Sequence, residues 1–503
     1  MKRSTWKLCP AALALLALAA APAVARAAVF NPDRTTDSAD GACDAHCSLR
    51  EAILAANATA GEDVIVLRPG VYRLSLAGAG EDLAATGDLD IRDDLVLVGD
   101  RAANTIIDAG GIDRVLHLRE GVSVEIRDIT LRNGRLQGQG VVGGGGILNI
   151  GSLTLTRSVV TGNTTDGSGG GIFSSGSGAV LTLSQSTVSD NTASGRGGGL
   201  AIDGTATLTN VTISGNRSLT DFGGGLYFSS NTRSTVDNAT ITGNSAAQRG
   251  GGVVAESAPF LGTAPDIANS ILAGNTASAE PDCSGAVSSL GYNLVGNGTG
   301  CISFSPANHD LEGSTGALLD PRLGPLAGNG GPTPTHALLA GSPALDAGNP
   351  AAPGSGGAAC EATDQRGAPR PGGARCDIGA FEREAANVCV AGGGTLCLQG
   401  GRFKVTATWQ AGTGSGEAGA VTLTSDTGYF WFFDPANVEV TIKVLDGCAL
   451  NDRFWVFLSG LTNVRVDVKV TDTLTGQEKT YTNPQGRVFR TQLDTSAFAT
   501  CGP

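Results

Sequence analysis

The sequence predicts an all-β protein: a right-handed parallel β-helix opened by a capping helix and followed by a small C-terminal β-sandwich. Three observations predict it. Glycine-punctuated segments repeat about every 28 residues, one amphipathic stretch precedes them, and the composition changes abruptly after residue 385. A 503-residue chain with 75 Gly, 5% aromatic and 16% charged residues is unlike a single compact core and suits a turn-dense, elongated stack.

In chain order, residues 1–27 read as an export signal. Lys2, Arg3 and Lys7 precede the apolar "AALALLALAAA", and small residues in "AVARAA" offer a cleavage site. The apolar run is too short to span a bilayer permanently. The expectation is a secreted protein, extracellular or at the cell surface, with the periplasm as alternative, and no transmembrane segment after processing. Removing Lys2, Arg3, Lys7 and Arg26 takes the formal charge from −13 to about −17. That sign argues against nucleic acid or anionic lipid as partner. Ten cysteines remain in close pairs: Cys43 with Cys47, Cys283 with Cys301, Cys360 with Cys376, Cys389 with Cys397, and Cys448 with Cys501. Neighbour pairing is the simplest connectivity, and the even count suits an oxidising compartment.

The segment 28–121 holds the cap and the first coils. In "CSLREAILAANA" the apolar residues fall at helical spacing, and Ser48 with Glu51 three residues on reads as a capping box. A helix here covers the open end of a stack that otherwise exposes apolar interior and unpaired strand edges. Ala52, Ile53 and Ala56 are expected to face the stack. Arg50 and Glu51 are placed at the solvent edge, a structural position favoured over a catalytic Arg–Glu pair.

Segment 122–385 carries the repeat. Asn163, Asn191, Asn216, Asn244 and Asn275 recur at spacings of 28, 25, 28 and 31. Eight positions before them lie Leu155, Leu183, Leu208, Val236 and Ile267; three before lie Val160, Val188, Ile213, Ile241 and Leu272. Glycine runs follow the first four, each leading into Ile172, Leu200, Leu226 or Val253. Three apolar columns with turn residues between them describe short strands whose coils stack, each column becoming an interior ladder. Parallel crossovers make the coil right-handed. The repeated Asn is expected to take left-handed backbone and to bond its counterpart one coil away.

"CSLREAI" resembles the N-terminal element of a bacterial family of secreted β-helix proteins named for that motif. Asp320–Pro350 and "TDQRG…CDIGAFE" (363–382) are similar to the choice-of-anchor Q region that closes such helices, here about 285–382. The resemblance implies a pectate-lyase-like stack, export and a surface or extracellular life, and supplies no catalytic residues. From 386 to 503, alternating runs such as "FKVTATW" and "VRVDVKV" predict antiparallel strands, enough for a sandwich. Three of the four tryptophans (Trp409, Trp431, Trp455) lie there; "YFWFFDP" reads as core in preference to a glycan platform.

Candidate chemistry is sparse. Ser175, Asp203, Ser229 and Glu256 occupy one position after each glycine run, so Asp203 and Glu256 stand two coils apart, about 9.6 Å, near the upper limit for an inverting carboxylate pair. Solvated acids are the simpler reading. Asp364 with Arg366, and Asp377 and Glu382, read as a pair pinning the last coil to its closure, and His336 as a structural histidine rather than a base. "DLDIRDDLVLVGD" (88–100) holds five Asp; Ca²⁺ is one reading, an amphipathic strand with solvated acids the other. No cofactor is expected. The scattered His46, His117, His309 and His336 and the lack of CxxC give no zinc pattern. Turns between the central coils are short, and between Gly121 and Asn275 the only aromatic residues are Phe173, Phe222, Tyr227, Phe228 and Phe260. Two functions remain: a non-enzymatic structural or adhesive β-helix binding a glycan or cell-surface protein, which short loops favour, and a polysaccharide lyase or hydrolase using the stack as a track.

Overall fold

The computed structural model describes residues 27–501 except 79, 139–141, 230–233, 257–263, 384–388, 390, 413 and 474–475. The expected signal up to residue 26, Phe260 and the boundary at 385 lie outside the described residues.

A single coil shows how the repeat folds. Ile172–Ser174, Val180–Ser184, Thr187–Ser189 and Thr192–Ala193 follow in sequence, and each pairs in parallel with its counterparts one coil before and after. Stacked coils give four faces, here faces one to four in that order, of eight, ten, ten and five strands. The anticipated apolar columns are the interior: Leu155, Leu183 and Leu208 align, as do Val160, Val188 and Ile213, and all are at most 1% exposed. In the glycine runs, a Cβ on Gly170, Gly198 or Gly224 would strike the backbone of the next coil. Only glycine allows that approach.

The five asparagines form one continuous interior ladder. Backbone N–H and Nδ2 of each donate to Oδ1 of the next at 2.9–3.0 Å, from Asn163 to Asn275. The second Nδ2 hydrogen reaches a carbonyl one coil back, such as Val188 from Asn216. The ladder starts on the Gly134 amide and ends on Asp282. Contrary to expectation, these asparagines are not left-handed. The residue before each is, at Gly162, Asp190, Gly215, Gly243 and Gly274, and so is a second column of Arg157, Gln185, Asn210, Asn238 and Asn269. The turn places its strain one residue earlier and frees the amide to point inward.

The helix Leu49–Ala56 caps the first coil, with Ser48 and Glu51 forming the capping box. Ala52, Ile53 and Ala56 are buried as anticipated, but Arg50 and Glu51 are not at a solvent edge: they are 0% and 1% exposed. Arg50 pairs with Asp37 at 2.7 Å and donates to the carbonyls of Ala84, Gly87 and Asp88. Its guanidinium ties lead-in, helix and first coil together.

Residues 320–382 do not simply close the last coil. They run back along face three and dock on its left-handed corners: Asn210 donates to Thr363, Asn269 to Ala358, Gln365 to Thr187, and the Glu361 amide to Asn238. Beyond them, two antiparallel sheets enclose a second core that includes Phe403, Phe430, Val456 and Val468. The five disulfides join Cys43–Cys47, Cys283–Cys301, Cys360–Cys376, Cys389–Cys397 and Cys448–Cys501.

Asn216→Ala strands the backbone and side-chain donors of Asn191 in a dry interior and leaves Asn244 Oδ1 with the residue-216 backbone amide alone, at about 1–3 kcal/mol for each unpaired group. Thermal unfolding should show a drop of several degrees, while the exposed Thr207→Ala should change little.

Candidate functional site

The column of Asp203 and Glu256 exists in register. The amides of Ser175, Asp203, Ser229 and Glu256 bond the carbonyls of Asn149, Ser174, Ile202 and Phe228 one coil back, at 2.8–3.0 Å. Beside it runs a stack that no carboxylate pattern revealed. Arg196, Phe222 and Arg249 each precede a glycine run, so they fall on successive coils, and both guanidiniums lie against the Phe222 ring, at 5.6 and 4.7 Å. Arg196 also covers Tyr227 at 5.0 Å. Glu256 ties this stack together, accepting from Tyr227 Oη at 2.5 Å, Arg196 at 3.3 Å and Arg249 at 3.5 Å.

The electrostatics separate the two acids. Burial pushes Asp203 up, against a hydrogen bond from Ser229 and the charge of Arg196. Burial and the bond to Glu256 push the Tyr227 hydroxyl up as well. A raised carboxyl such as that of Asp203 is the direction a general acid needs, but inversion also needs a base free to take a proton from water. Glu256, with three donors on its oxygens, is engaged as an anchor. The cluster fastens coil to coil.

The other candidates are also engaged. Asp364 and Arg366 pair at 2.8 Å, and Arg366 stacks on Phe381 at 3.8 Å. Arg370 and Glu382, both fully buried, pair at 2.8 Å, with Arg370 donating on to the carbonyls of Asp377 and Gly379. These pairs hold the returning segment to itself and to face three rather than to the last coil. His336 Nδ1–H donates to the Gly324 carbonyl at 2.7 Å, so Nε2 accepts from the Ser214 hydroxyl at 2.9 Å. Burial lowers its pKa, and it serves as a docking contact. In 88–100 the reading of solvated acids fails for Asp88 and Asp90, which are 4% and 0% exposed. Leu89 and Ile91 fill the core as anticipated, but segment 81–87 covers the outer side, and burial pushes Asp88 up to about 8.

The sandwich corrects the reading of "YFWFFDP" as core. Only Phe430 and Phe432 enter the core, Tyr429 and Trp431 point outward, and Phe433 is 58% exposed. The strands Gly419–Thr422, Thr427–Trp431, Val440–Asp446, Phe454–Gly460 and Gln492–Phe498 make one sheet. Its outer face carries Tyr429, Trp431, Trp455 and Phe457 with Lys443 among them, alternating with buried neighbours. Trp431 occupies the space a Cβ on Gly419 would take, and Trp455 does the same over Gly447. Each indole lies across a glycine, and Trp455 Nε1 is held by Asn451 at 2.8 Å.

Residues 104–308 match the family model described as a right handed beta helix region. No curated protein and no solved structure matches the chain. The fold is therefore a right-handed β-helix with a separate antiparallel region at the C-terminus. Among the described residues no helix is long and apolar enough to cross a membrane.

Burial, reinforced by the charge of Glu382, pushes Asp377 up to about 7. The folded chain keeps that proton above the pH where the unfolded carboxyl, near 3.9, releases it. The contribution is thus full below about pH 4 and is lost as pH rises through about 7. Thermal melts of Asp377→Asn should depend less on pH between about 4 and 7 than those of the parent.

Proposed function

We propose that this protein is an exported, non-enzymatic adhesive β-helix that binds glycan through the aromatic outer sheet of its C-terminal sandwich. One observation carries the reading: Trp431 and Trp455 lie flat over glycines on an accessible sheet face, with Tyr429 and Phe457 beside them. A ring backed by glycine offers its opposite face, which suits the C–H face of a sugar better than the edge packing of a protein core. Asn451, Lys443 and Asp426 around the rings supply polar groups for hydroxyls. The engaged state of Glu256 weighs against hydrolysis on the stack. The resemblance of "CSLREAI" and "TDQRG…CDIGAFE" to secreted, surface-associated β-helix proteins supports export, as do five disulfides. The second reading, a polysaccharide lyase or hydrolase, rests on the raised carboxyl of Asp203 two coils from Glu256.

Both readings meet in one experiment. The protein is incubated with a panel of insoluble neutral and uronate polysaccharides, with and without Ca²⁺, and bound protein and released oligosaccharide are measured. Retention on at least one polymer, falling about tenfold or more in Trp455→Ala and unchanged in Asp203→Ala, is the expected result. Oligosaccharide release abolished by Asp203→Ala or Glu256→Ala would establish the enzyme instead.

A further inference from the structure

The first coils bring together side chains that sequence spacing keeps far apart. Asp90 lies on the strand Leu89–Ile91 and His117 on Leu116–Leu118; the two strands pair with Asp90 directly opposite His117. Both point outward on face one, because Leu89, Ile91, Leu116 and Leu118 fill the interior. Asp82 reaches over them from the covering segment. His117 Nδ1 lies 3.0 Å from Asp90 Oδ1 and 3.7 Å from Asp82 Oδ1. All three donor atoms fall within 4.8 Å of one another.

From this geometry we infer that Asp82, Asp90 and His117 form a binding site for a divalent transition cation of the Zn²⁺ or Mn²⁺ type. The donor separations fit: bonds of about 2.1 Å in a tetrahedral site put neighbouring ligand atoms about 3.4 Å apart. The imidazole, in a residue 5% exposed, is a donor of a different kind from the two carboxylates and is directed between them. Its Nε2 has no hydrogen-bond partner, and Nδ1 is the nitrogen held in place, by Asp90 Oδ1 at 3.0 Å.

The site is also oriented from behind. Asp90 Oδ2 accepts the Ala84 amide at 2.9 Å, which leaves Oδ1 as its single ligand atom. Glu81 accepts the amides of Leu83 and Thr86, at 2.9 and 2.8 Å, and so shapes the segment that carries Asp82. Such outer contacts fix ligand atoms in metal sites generally. Asp82, with a side chain 58% exposed, provides the way in, and water completes the coordination.

The donor set chooses the metal. Ca²⁺ takes six to eight oxygens, and this site offers two plus a nitrogen, the mixture that borderline transition cations prefer. Two contacts compete with binding: the cation must replace the proton that His117 Nδ1 shares with Asp90 Oδ1 at 3.0 Å, and it must displace an arginine. Arg119 Nη1 lies 2.7 Å from Asp82 Oδ1 and must swing into solvent, which its 37% exposed side chain permits.

The test is calorimetric titration of the chelator-treated, dialysed protein with Zn²⁺, Mn²⁺ and Ca²⁺ separately. One equivalent of Zn²⁺ should bind, Ca²⁺ should bind at least about a hundredfold more weakly, and Arg119→Gln should tighten Zn²⁺. His117→Ala should abolish that equivalent. Because His117 is buried, Asp82→Asn on the exposed segment serves as the second variant: it should lose binding with the metal-free melting temperature unchanged. Absence of a Zn²⁺ equivalent, an equivalent that survives in Asp82→Asn, or Ca²⁺ binding as tight as Zn²⁺ would overturn the assignment.

Discussion

At one corner of every central coil the backbone turns inside a dry stack, and an asparagine amide has to satisfy it. From Asn191 onward, each Asn side chain accepts two hydrogens from the coil before and gives two of its own, as Asn216 does, one to that coil and one to the coil after. No apolar residue can do this, and an acid in mid-ladder would bring only acceptors. Buried polar groups that are fully paired rigidify a core, and the same groups half paired are costly. The ladder therefore imposes one register on the stack: a coil displaced by a residue would strand donors along its length. It ends where a carboxylate can accept without donating, at Asp282.

With the interior committed to ladders, side chains able to meet other molecules are left to the outside and the ends. Face two shows mostly hydroxyls, such as Thr154, Thr182 and Thr207 in one column. Face three is taken by the returning segment. Face one carries the Arg196–Phe222–Arg249 stack, which joins coils that share only short strands there. The sandwich is different: the outer face of one sheet shows half-exposed rings, with glycines beneath Trp431 and Trp455. This division between a laddered scaffold and an aromatic contact surface underlies the proposed role.

Much of the fold was legible because a solenoid repeats its physical problem. Leu183 and Val188 could be placed inward from their distance to Asn191, and the glycine run before Leu200 could be placed at a turn. Reading failed where the decisive contact came from a distant segment. Arg50 appeared solvated because nothing near it in sequence identifies Asp37 or the carbonyls of 84–88 as partners. Asp88 and Asp90 appeared solvated because their cover comes from a neighbouring irregular segment with no periodicity. The Arg–Phe–Arg stack leaves a trace in the sequence, since Arg196, Phe222 and Arg249 share the position before a glycine run, but the column mixes cations with an aromatic ring and so has no single residue type to mark it. The alternation of Tyr429, Phe430, Trp431 and Phe432 was hidden by its composition: all four are aromatic, and only the sheet separates core from surface.

The central claim is that the stack is a scaffold and the sandwich makes the contact. The most direct measurement is hydrogen–deuterium exchange on the whole chain with and without a polysaccharide that retains it. Protection gained in 419–431 and 454–460, with the coils from Asp203 to Glu256 unchanged, is the result the account predicts. Protection centred on those coils, with the sandwich unaffected, would contradict it.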